Sequence, residues 1–380
     1  MREVAVVGVG IHPFGRFGDK SYVDMGIEAV EEALKDANME WKEIQVSFCA
    51  AMYLPATTGV RVLNNFGRTG IPVCDVEAAC ASGAVALRRA WESIAFGSCD
   101  QALALGVEKM PRGFMDPSMI YENWQIKLGM AVNPMYWGVL AQRHMHDYGT
   151  TEKQLAMVSA KNHRHAVHNP NAMYRKELSL EEVLNSPLVC DPLRLLMLCA
   201  PDEGAAAVVL CAREIAHKYN AKPITIAATF HGTSLYPWFR GPSFSITANP
   251  RNPSVSSMVA KKAYEASGIG PADLDVVELQ DSDSFSEITL YEELGLCEKG
   301  RGGELVESGA TQIGGKIPVN PSGGLLSRGE PVGASHLGQV HEIVLQLQGR
   351  AGQRQVEGAK VGMAQVIGAG GNAGVTILKR

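Results

Sequence analysis

Apolar residues in the first third of this sequence form two patterns, which predict two kinds of secondary structure. Residues 2–10, 44–50 and 101–106 are short, largely apolar runs, which is typical of buried β-strands. Residues 22–38 instead carry apolar positions three or four apart among acidic residues, which predicts an amphipathic helix. We expect the strand at 2–10 to end at its glycines.

The second half of the chain repeats this order of elements. The repeat comprises three predicted strands and two predicted helices, at 223–228, 274–279, 361–366, 254–267 and 337–348. The closing strands also correspond, at 204–211 and 371–378. We therefore predict an α/β fold of two halves, 1–220 and 221–380, each with a mixed, mostly parallel sheet covered by helices, packed as a pseudo-dimer.

Residues 110–200 lie between core strands and are too long for an ordinary connection, which predicts a capping insertion over an active site. The insertion is rich in methionine, aromatic residues and histidine. Its HRHAVH run has the spacing of a solvated helix face rather than that of a metal site, so we predict no metal there. The histidines are His144, His146, His163, His165 and His168.

Residues 73–110 contain the candidate nucleophile, Cys80. A short apolar approach ends in small residues at Cys80, and the apolar spacing that follows predicts a buried helix. Unpaired N–H groups and the helix dipole at such a start favour the thiolate. The neighbouring small residues leave room for a substrate. The alternative is that Cys80 is a small buried apolar residue, as most free cysteines are.

Composition narrows the class of protein. The chain has 380 residues, of which 46% are hydrophobic and 20% charged, which is typical of a globular protein with a large core. A net charge of −5 argues against a nucleic-acid partner. We expect neither a signal peptide nor a membrane span, and we expect a cytoplasmic protein. The eight cysteines form no CxxC pair, so we expect reduced thiols rather than zinc ligands or disulfides.

Five segments resemble the thiolase superfamily, most closely sterol-carrier-protein-x-type thiolases and thiolase-like lipid-transfer proteins. The resemblance implies a duplicated five-layer fold, a coenzyme A thioester as substrate, and acylation of Cys80. The segments are CASGAVALRRAWESIAFGSCDQALALGVEKM (80–110), HMHDYGTTEKQLAMVSAKNHRHAVHNPNA (144–172), APDEGAAAVVLCA (200–212), NPSGGLLSRGEPVGAS (320–335) and IGAGGNAGVTIL (367–378).

The sequence departs from the thiolase motifs at three positions. The usual GHP histidine is replaced by Glu330, and the usual histidine–aspartate pair by Gln280 and Asp281. Ser282 stands where sterol-carrier-protein-type thiolases have a second cysteine, and a small shift would instead match Asp283-Ser284. The other thiolase class has a second cysteine near the C-terminal glycines, where this chain has residues 366–367, Val-Ile.

These departures leave the proton acceptor for Cys80 open. An ionised Glu330 would raise the pKa of the thiol, whereas a buried Glu330 with a raised pKa could accept the thiol proton. His336 is a second candidate base, although its place in a helix favours packing. The resemblance assigns oxyanion or substrate-binding roles to a further set of residues, Gln280, Asp281, Ser282, Asn320, Gly368 and Gly370.

Three functions are consistent with this pattern. The first is acyl transfer on a β-ketoacyl-CoA through an S-acyl intermediate on Cys80, in cleavage or condensation. The second is a thiolase-fold retro-aldolase acting on a hydroxyacyl-CoA, and the third is a non-catalytic lipid-transfer or partner subunit. Relatives imply a bulky or aromatic acyl group, as in benzoylsuccinyl-CoA. The candidate anchors for a second carboxylate are Arg112, Arg240 and Arg328.

The resemblance also implies partner chains. Thiolase-like lipid-transfer proteins commonly pair with a small OB-fold subunit that carries a zinc ribbon, and thiolases commonly form homodimers. We expect the dimer to form through the edge strand at 101–106. The aromatic residues Trp124, Tyr136 and Trp137 would contribute to a partner interface, or would be buried beneath the cap.

Overall fold

The computed structural model describes residues 1–119, 121–129, 132–235 and 253–380. Arg240, one of the predicted anchors, lies outside the described residues. The described strands are β1 (Val4–Gly15), β2 (Val46–Ala50), β3 (Val73–Val76), β4 (Gln101–Lys109), β5 (Leu188–Cys190), β6 (Leu193–Arg194), β7 (Glu203–Ala212), β8 (Ile224–Thr233), β9 (Val276–Glu278), β10 (Val361–Gly368) and β11 (Asn372–Lys379). The described helices are α1 (Tyr22–Asp36), α2 (Thr58–Leu63), α3 (Ser82–Ala95), α4 (Asn123–Lys127), α5 (Asn133–Tyr148), α6 (Glu152–Ala166), α7 (Leu180–Leu184), α8 (Val255–Ser267), α9 (Ser284–Glu293), α10 (Gly302–Glu307), α11 (Gly324–Ser327) and α12 (Ser335–Gln348).

The strands of both halves meet in one mixed sheet. Within the described residues it has nine strands in the order β3-β2-β4-β7-β1-β8-β11-β10-β9. The parallel pairs are β2 with β3, β2 with β4, and β9 with β10, and the other neighbours are antiparallel. The predicted mixed α/β fold is confirmed. The two predicted sheets join edge to edge, because Ala5 and Val6 of β1 pair with Thr225 and Ile224 of β8.

Two helices lie between the sheet portions of the two halves. Helix α3 contacts β2, β4 and β7 of the first half and β8 and β11 of the second, and α12 likewise contacts strands of both halves. Helix α1 covers the other face of β1, β4 and β7, while α8 covers β8 and β11. The layers therefore run helix, sheet, helix, sheet, helix, as the thiolase resemblance implied.

Glycines allow the central layer to approach the sheet closely. A Cβ atom at Gly106 of β4 would lie 2.4 Å from the Gly333 carbonyl oxygen and 2.8 Å from the Ala334 Cα. A Cβ atom at Gly333 would lie 2.7 Å from the Ala50 carbonyl oxygen at the end of β2. Only glycine fits such contacts, so the loop before α12 lies directly on the ends of β2 and β4.

The limits of two predicted strands need correction. Strand β1 does not end at Gly10 but continues to Gly15, because β7 pairs with it along this length, as far as Gly15 opposite Glu203. Strand β4 is not the dimer edge expected at 101–106, because it lies between β2 and β7. Among the described strands of the large sheet, β3 and β9 are the outer ones.

The segment 110–200 is largely helical, and α6 packs against α9, α10 and α11 of the second half. The interpretation of HRHAVH as a solvated face is wrong for two of its histidines. His163 and His165 are buried, and only His168 is exposed. Burial lowers the pKa of His163 to about 4 and that of His165 to about 3, so both rings are neutral near pH 7.

Three further observations concern the described residues alone. No described helix is long and apolar enough to cross a membrane. No group of three or more histidine, cysteine, aspartate or glutamate side chains in the described ranges is arranged to hold a metal ion. All eight cysteines are free thiols.

Candidate active site

Cys80 lies between the end of β3 and the start of α3, as predicted, in a tightly hydrogen-bonded loop. The Ser82 hydroxyl accepts from the Ala78 N–H at 2.8 Å and donates to the Ala79 carbonyl at 2.6 Å. The Glu77 carboxylate accepts from the Ala79 N–H at 2.6 Å. These bonds hold Ala79 at φ 51°, a left-handed conformation that is costly for alanine. The loop thereby fixes the partly exposed Cys80 just before the helix.

The Glu330 carboxylate joins three side chains that are distant in sequence. Its Oε2 accepts from the Cys199 thiol at 2.7 Å, and its Oε1 accepts from Gln280 Nε2 at 2.5 Å. The Cys80 thiol is also hydrogen-bonded to this carboxylate. Glu330 itself is buried, with 7% of its surface exposed. One buried carboxylate therefore holds both thiols and one amide.

A glycine and a short backbone bridge position Glu330. Gly329 has φ 117°, and a Cβ atom there would lie 1.8 Å from Asp202 Oδ2, so glycine is required. The backbone of Glu330 pairs with that of Pro201. The segment that carries Cys199 and Asp202 therefore lies directly against the segment that carries Glu330.

The protonation states at this carboxylate differ from the expected cysteine thiolate. Burial, followed by the negative charge of Glu330, raises the pKa of Cys80 well above its ordinary value, and the same two causes raise the pKa of Cys199. Burial also raises the pKa of Glu330, while its hydrogen bonds oppose this rise. The effect of the helix start is thus outweighed, and both cysteines rest as thiols beside a carboxyl group able to accept a proton.

Cys199 is a site residue that the sequence analysis missed. Its N–H donates to the Ser282 carbonyl at 3.0 Å, and the adjacent Leu198 pairs with Asp283. These bonds fix Cys199 between the loop after β9 and Glu330. The one sequence signal was that Cys199 comes just before the predicted strand at 204–211, next to a thiolase-like segment.

Tyr53, in the loop after β2, is a second residue that the sequence did not reveal. Its phenolic oxygen is buried and has no hydrogen-bond partner among the described residues. Burial raises the pKa of Tyr53 to about 12, and the nearby charges of Cys80, Glu108 and Glu330 act in the same direction. Tyr53 therefore offers a neutral hydroxyl donor close to the two reactive groups.

Glu108 ties the Tyr53 loop to the Glu330 loop. This buried carboxylate accepts from the N–H groups of Met52 at 2.9 Å and Tyr53 at 3.1 Å, and also from the Gly333 N–H. Burial raises the pKa of Glu108 to about 7 despite these bonds. A single carboxyl group thus holds the loops after β2 and after Glu330 together.

The predicted residues of the segment 280–282 and Asn320 have different positions. Gln280 contacts Glu330, and Ser282 provides the carbonyl that holds Cys199. The Asp281 carboxylate accepts from the N–H groups at the start of α11 and from Asn162. Asn320 is bound to the Leu279 N–H and to Glu287. The side chains of Asp281 and Asn320 therefore bind loops of the protein rather than contacting Cys80.

His336 and Arg328 are structural residues in this fold. The His336 ring is buried, with Nδ1 bonded to Gln339 and Nε2 to Thr376, and burial lowers its pKa to about 4. It therefore does not serve as the base for Cys80. Arg328, one of the candidate anchors, is buried in an ion pair with Glu278 at 3.2 Å. Arg112 is exposed on the surface.

The C-terminal glycine turn lies against the Cys80 loop. A Cβ atom at Gly368 would lie 2.4 Å from the Ala78 carbonyl oxygen, so β10 ends in direct contact with the loop. Gly370 follows in the exposed turn between β10 and β11, with φ 88°. The predicted backbone partner of Cys80 is therefore placed beside it.

Comparison with known proteins agrees with this fold and site. Residues 4–214 match the family model "Thiolase, N-terminal domain", and residues 245–380 match "Thiolase C-terminal domain-like". The chain therefore belongs to the thiolase superfamily, and it is an acyl-CoA acyltransferase of the thiolase type.

Three curated relatives are similar along nearly the whole chain. An acetyl-CoA acetyltransferase of Methanothermobacter thermautotrophicus is 39% identical and covers 100% of both chains. Sterol carrier protein 2 of Bos taurus is 38% identical, covering 99% of this chain and 72% of its own. The benzoylsuccinyl-CoA thiolase subunit BbsB of Thauera aromatica is 35% identical, with coverages of 97% and 95%.

A solved structure titled "Ltp2-ChsH2(DUF35) aldolase" superposes with a TM-score of 0.88 over 99% of this chain and 97% of that chain. Its sequence identity is 23%, so the likeness supports the fold.

We predict that Glu108 makes folding stability depend on pH in a defined window. Its folded-state pKa of about 7 lies above the ordinary value of 4.5, so the protonated group stabilises the fold at low pH, and this contribution is lost as pH rises through 7. Glu108→Gln removes this titration. Between about pH 4.5 and 7, the free energy of unfolding of the variant should therefore rise relative to the parent by about 3 kcal/mol.

Denaturant unfolding at several pH values measures this difference. Glu357→Gln, at an exposed position, is the matched control and should give a curve parallel to the parent. A Glu108→Gln curve that is also parallel to the parent would show that Glu108 does not titrate in this window.

Proposed function

We propose that this protein cleaves or forms a carbon–carbon bond in a β-ketoacyl-CoA through an S-acyl intermediate on Cys80, with Glu330 as the base. The observation that carries the proposal is the hydrogen bond between the Cys80 thiol and the buried Glu330 carboxylate. Glu330 stands where ordinary thiolases have a histidine, and its raised pKa brings it nearer to that of a histidine. Coenzyme A is the acyl acceptor in this proposal, and no metal takes part.

In the cleavage direction, the Cys80 thiol transfers its proton to Glu330 as the sulfur attacks the β-keto carbon. The bond from that carbon to the α-carbon breaks, the acyl group remains on sulfur, and the electron pair leaves as the enolate of a shorter acyl-CoA. Protonation of the enolate carbon returns Glu330 to its ionised form. Coenzyme A then attacks the acyl group, its thiol proton goes to Glu330, and the departing Cys80 sulfur takes that proton back.

The developing negative charges need hydrogen-bond donors. We assign the backbone N–H of Cys80 and the glycine turn at Gly368 and Gly370 to the oxyanion of the acyl intermediate, since this turn adjoins the Cys80 loop. The Gln280 amide and the Tyr53 hydroxyl are donors on the side of Glu330. Condensation uses the same groups in reverse.

We propose a bulky or aromatic acyl group as substrate. The support is the 35% identity to the benzoylsuccinyl-CoA thiolase subunit over almost the full length of both chains. In this chain Arg328 is buried in an ion pair. Arg112 is therefore the remaining described candidate from the predicted set for binding a second substrate carboxylate.

A retro-aldolase reaction on a hydroxyacyl-CoA is the alternative function. It is supported by the aldolase named in the superposed structure and by the raised pKa of Cys80, which disfavours a resting thiolate. Such a reaction needs a base and an enolate site but no acyl-cysteine. A non-catalytic lipid-transfer or partner role would need neither.

We further propose that the chain works as a homodimer with a small OB-fold, zinc-ribbon subunit. The outer strand β3 provides an open sheet edge for a second copy. The surface of residues 114–128 exposes apolar side chains for the small subunit, and the superposed structure is titled as a complex with a DUF35 protein. The free thiols suit a cytoplasmic location. The exposed apolar residues are Phe114, Met119, Trp124 and Leu128.

We predict that Cys80 carries the acyl group. Incubation with acetyl-CoA, succinyl-CoA or benzoyl-CoA, followed by acid quenching and peptide mass spectrometry, should add the acyl mass to the peptide that contains Cys80. Cys80→Ala should abolish turnover, whereas the control Cys190→Ala, in β5, should not. Full activity of Cys80→Ala would reject the acyl-transfer mechanism in favour of the retro-aldolase.

We predict that Glu330→Gln lowers turnover by roughly two to four powers of ten, because a general base is lost. The parent should lose activity as acid protonates Glu330, at a pH above the ordinary glutamate value of 4.5. Rates of the variant within about threefold of the parent would assign proton transfer to another group.

A further inference from the structure

We propose that Cys199 is the second catalytic cysteine of this enzyme, the residue that delivers a proton to the enolate carbon in cleavage and removes it in condensation. This assignment rests on the proposed acyl-transfer function. It gives a role to a thiol outside both positions where thiolases have their second cysteine, which here hold Ser282 and residues 366–367.

The geometry places Cys199 beside the reacting atoms. Its thiol lies 2.7 Å from Glu330 Oε2, and the Cys80 thiol is hydrogen-bonded to the same carboxylate. The two sulfurs are therefore separated by little more than the width of one carboxylate group. In the substrate the α-carbon is one bond away from the carbon that Cys80 attacks. A group that serves the α-carbon has to lie at this distance from Cys80.

The surroundings of Cys199 suit a proton carrier. The residue is partly exposed, so its thiol is not sealed within the core. Its backbone is fixed by the Ser282 carbonyl on one side and by the Pro201–Glu330 bridge on the other. The thiol therefore has a fixed direction toward the carboxylate, which a positioned acid requires.

Chemistry favours a thiol over the carboxyl group for the carbon atom. A thiolate is a stronger base than a carboxylate, and its proton affinity is closer to that of an enolate carbon. In cleavage, the Cys199 thiol gives its proton to the enolate carbon, which forms the new C–H bond and leaves a thiolate. Glu330, which holds the proton from Cys80, then reprotonates Cys199. The relay restores both groups and needs no other reactant.

The test separates the two half-reactions. Exchange of the acyl group between acetyl-CoA or succinyl-CoA and isotopically labelled coenzyme A needs Cys80 and Glu330 but no proton transfer at carbon. Exchange of α-deuterium from deuterated acetyl-CoA or succinyl-CoA into water needs the carbon acid and base. Cys199→Ala should keep acyl exchange within about threefold of the parent while α-deuterium exchange falls by roughly two to four powers of ten. Cys190→Ala is the control and should keep both rates.

Three outcomes would contradict the assignment. If Cys199→Ala retains α-deuterium exchange within about threefold of the parent, another group serves the carbon. If Cys199→Ala and the conservative Cys199→Ser lose both exchanges equally while remaining folded by circular dichroism, Cys199 only positions Glu330. If the parent shows no acyl exchange, or Cys80→Ala retains it, the proposed acyl-transfer function itself is rejected, and the assignment falls with it.

Discussion

The Glu330 carboxylate lies buried between two thiols and one amide, and the site depends on how its charge is satisfied there. Burial alone would drive this group to its neutral form, while the donors from Cys80, Cys199 and Gln280 oppose that change. The same charge keeps both thiols protonated. The result is a carboxyl group and two thiols whose proton affinities have been brought closer together, a condition under which protons move easily between them.

This arrangement requires four segments from both halves of the chain to meet. Cys80 and Cys199 come from the first half, whereas Gln280 and Glu330 come from the second. The helices α3 and α12 bring the halves together in the central layer. Close glycine contacts set the loop before α12 on the ends of β2 and β4, and Glu108 binds that loop to the Tyr53 segment. The duplicated fold thus serves to place one carboxyl group opposite two thiols.

Local sequence patterns predicted the elements well, because helix and strand periodicity is carried by neighbouring residues. The helix after Cys80, the repeated βα order and the closing strands of both halves are where the patterns placed them. The pairing of Cys80 with Glu330 could also be anticipated, since the two positions are the nucleophile and base positions of the thiolase motifs. Gln280 was found in the same way, from the motif position it occupies.

The failures have a common physical cause, which is that burial and distant contacts are not visible in a local pattern. Cys199 is separated from Glu330 by 131 positions, so nothing near it in sequence indicates the contact. His163 and His165 were placed on a solvated face because their spacing is helical, but helices from the second half cover α6. The thiolate expected at the helix start is overridden by the buried charge of Glu330.

The most direct test of this account is the pH dependence of thiol alkylation, read separately at Cys80 and Cys199. Iodoacetamide labelling at a series of pH values, followed by peptide mass spectrometry, gives the apparent pKa of each thiol in the parent and in Glu330→Gln. Removing the negative charge should lower the apparent pKa of both thiols together. If either thiol keeps its parental midpoint in the variant, Glu330 does not govern both cysteines, and the account is contradicted.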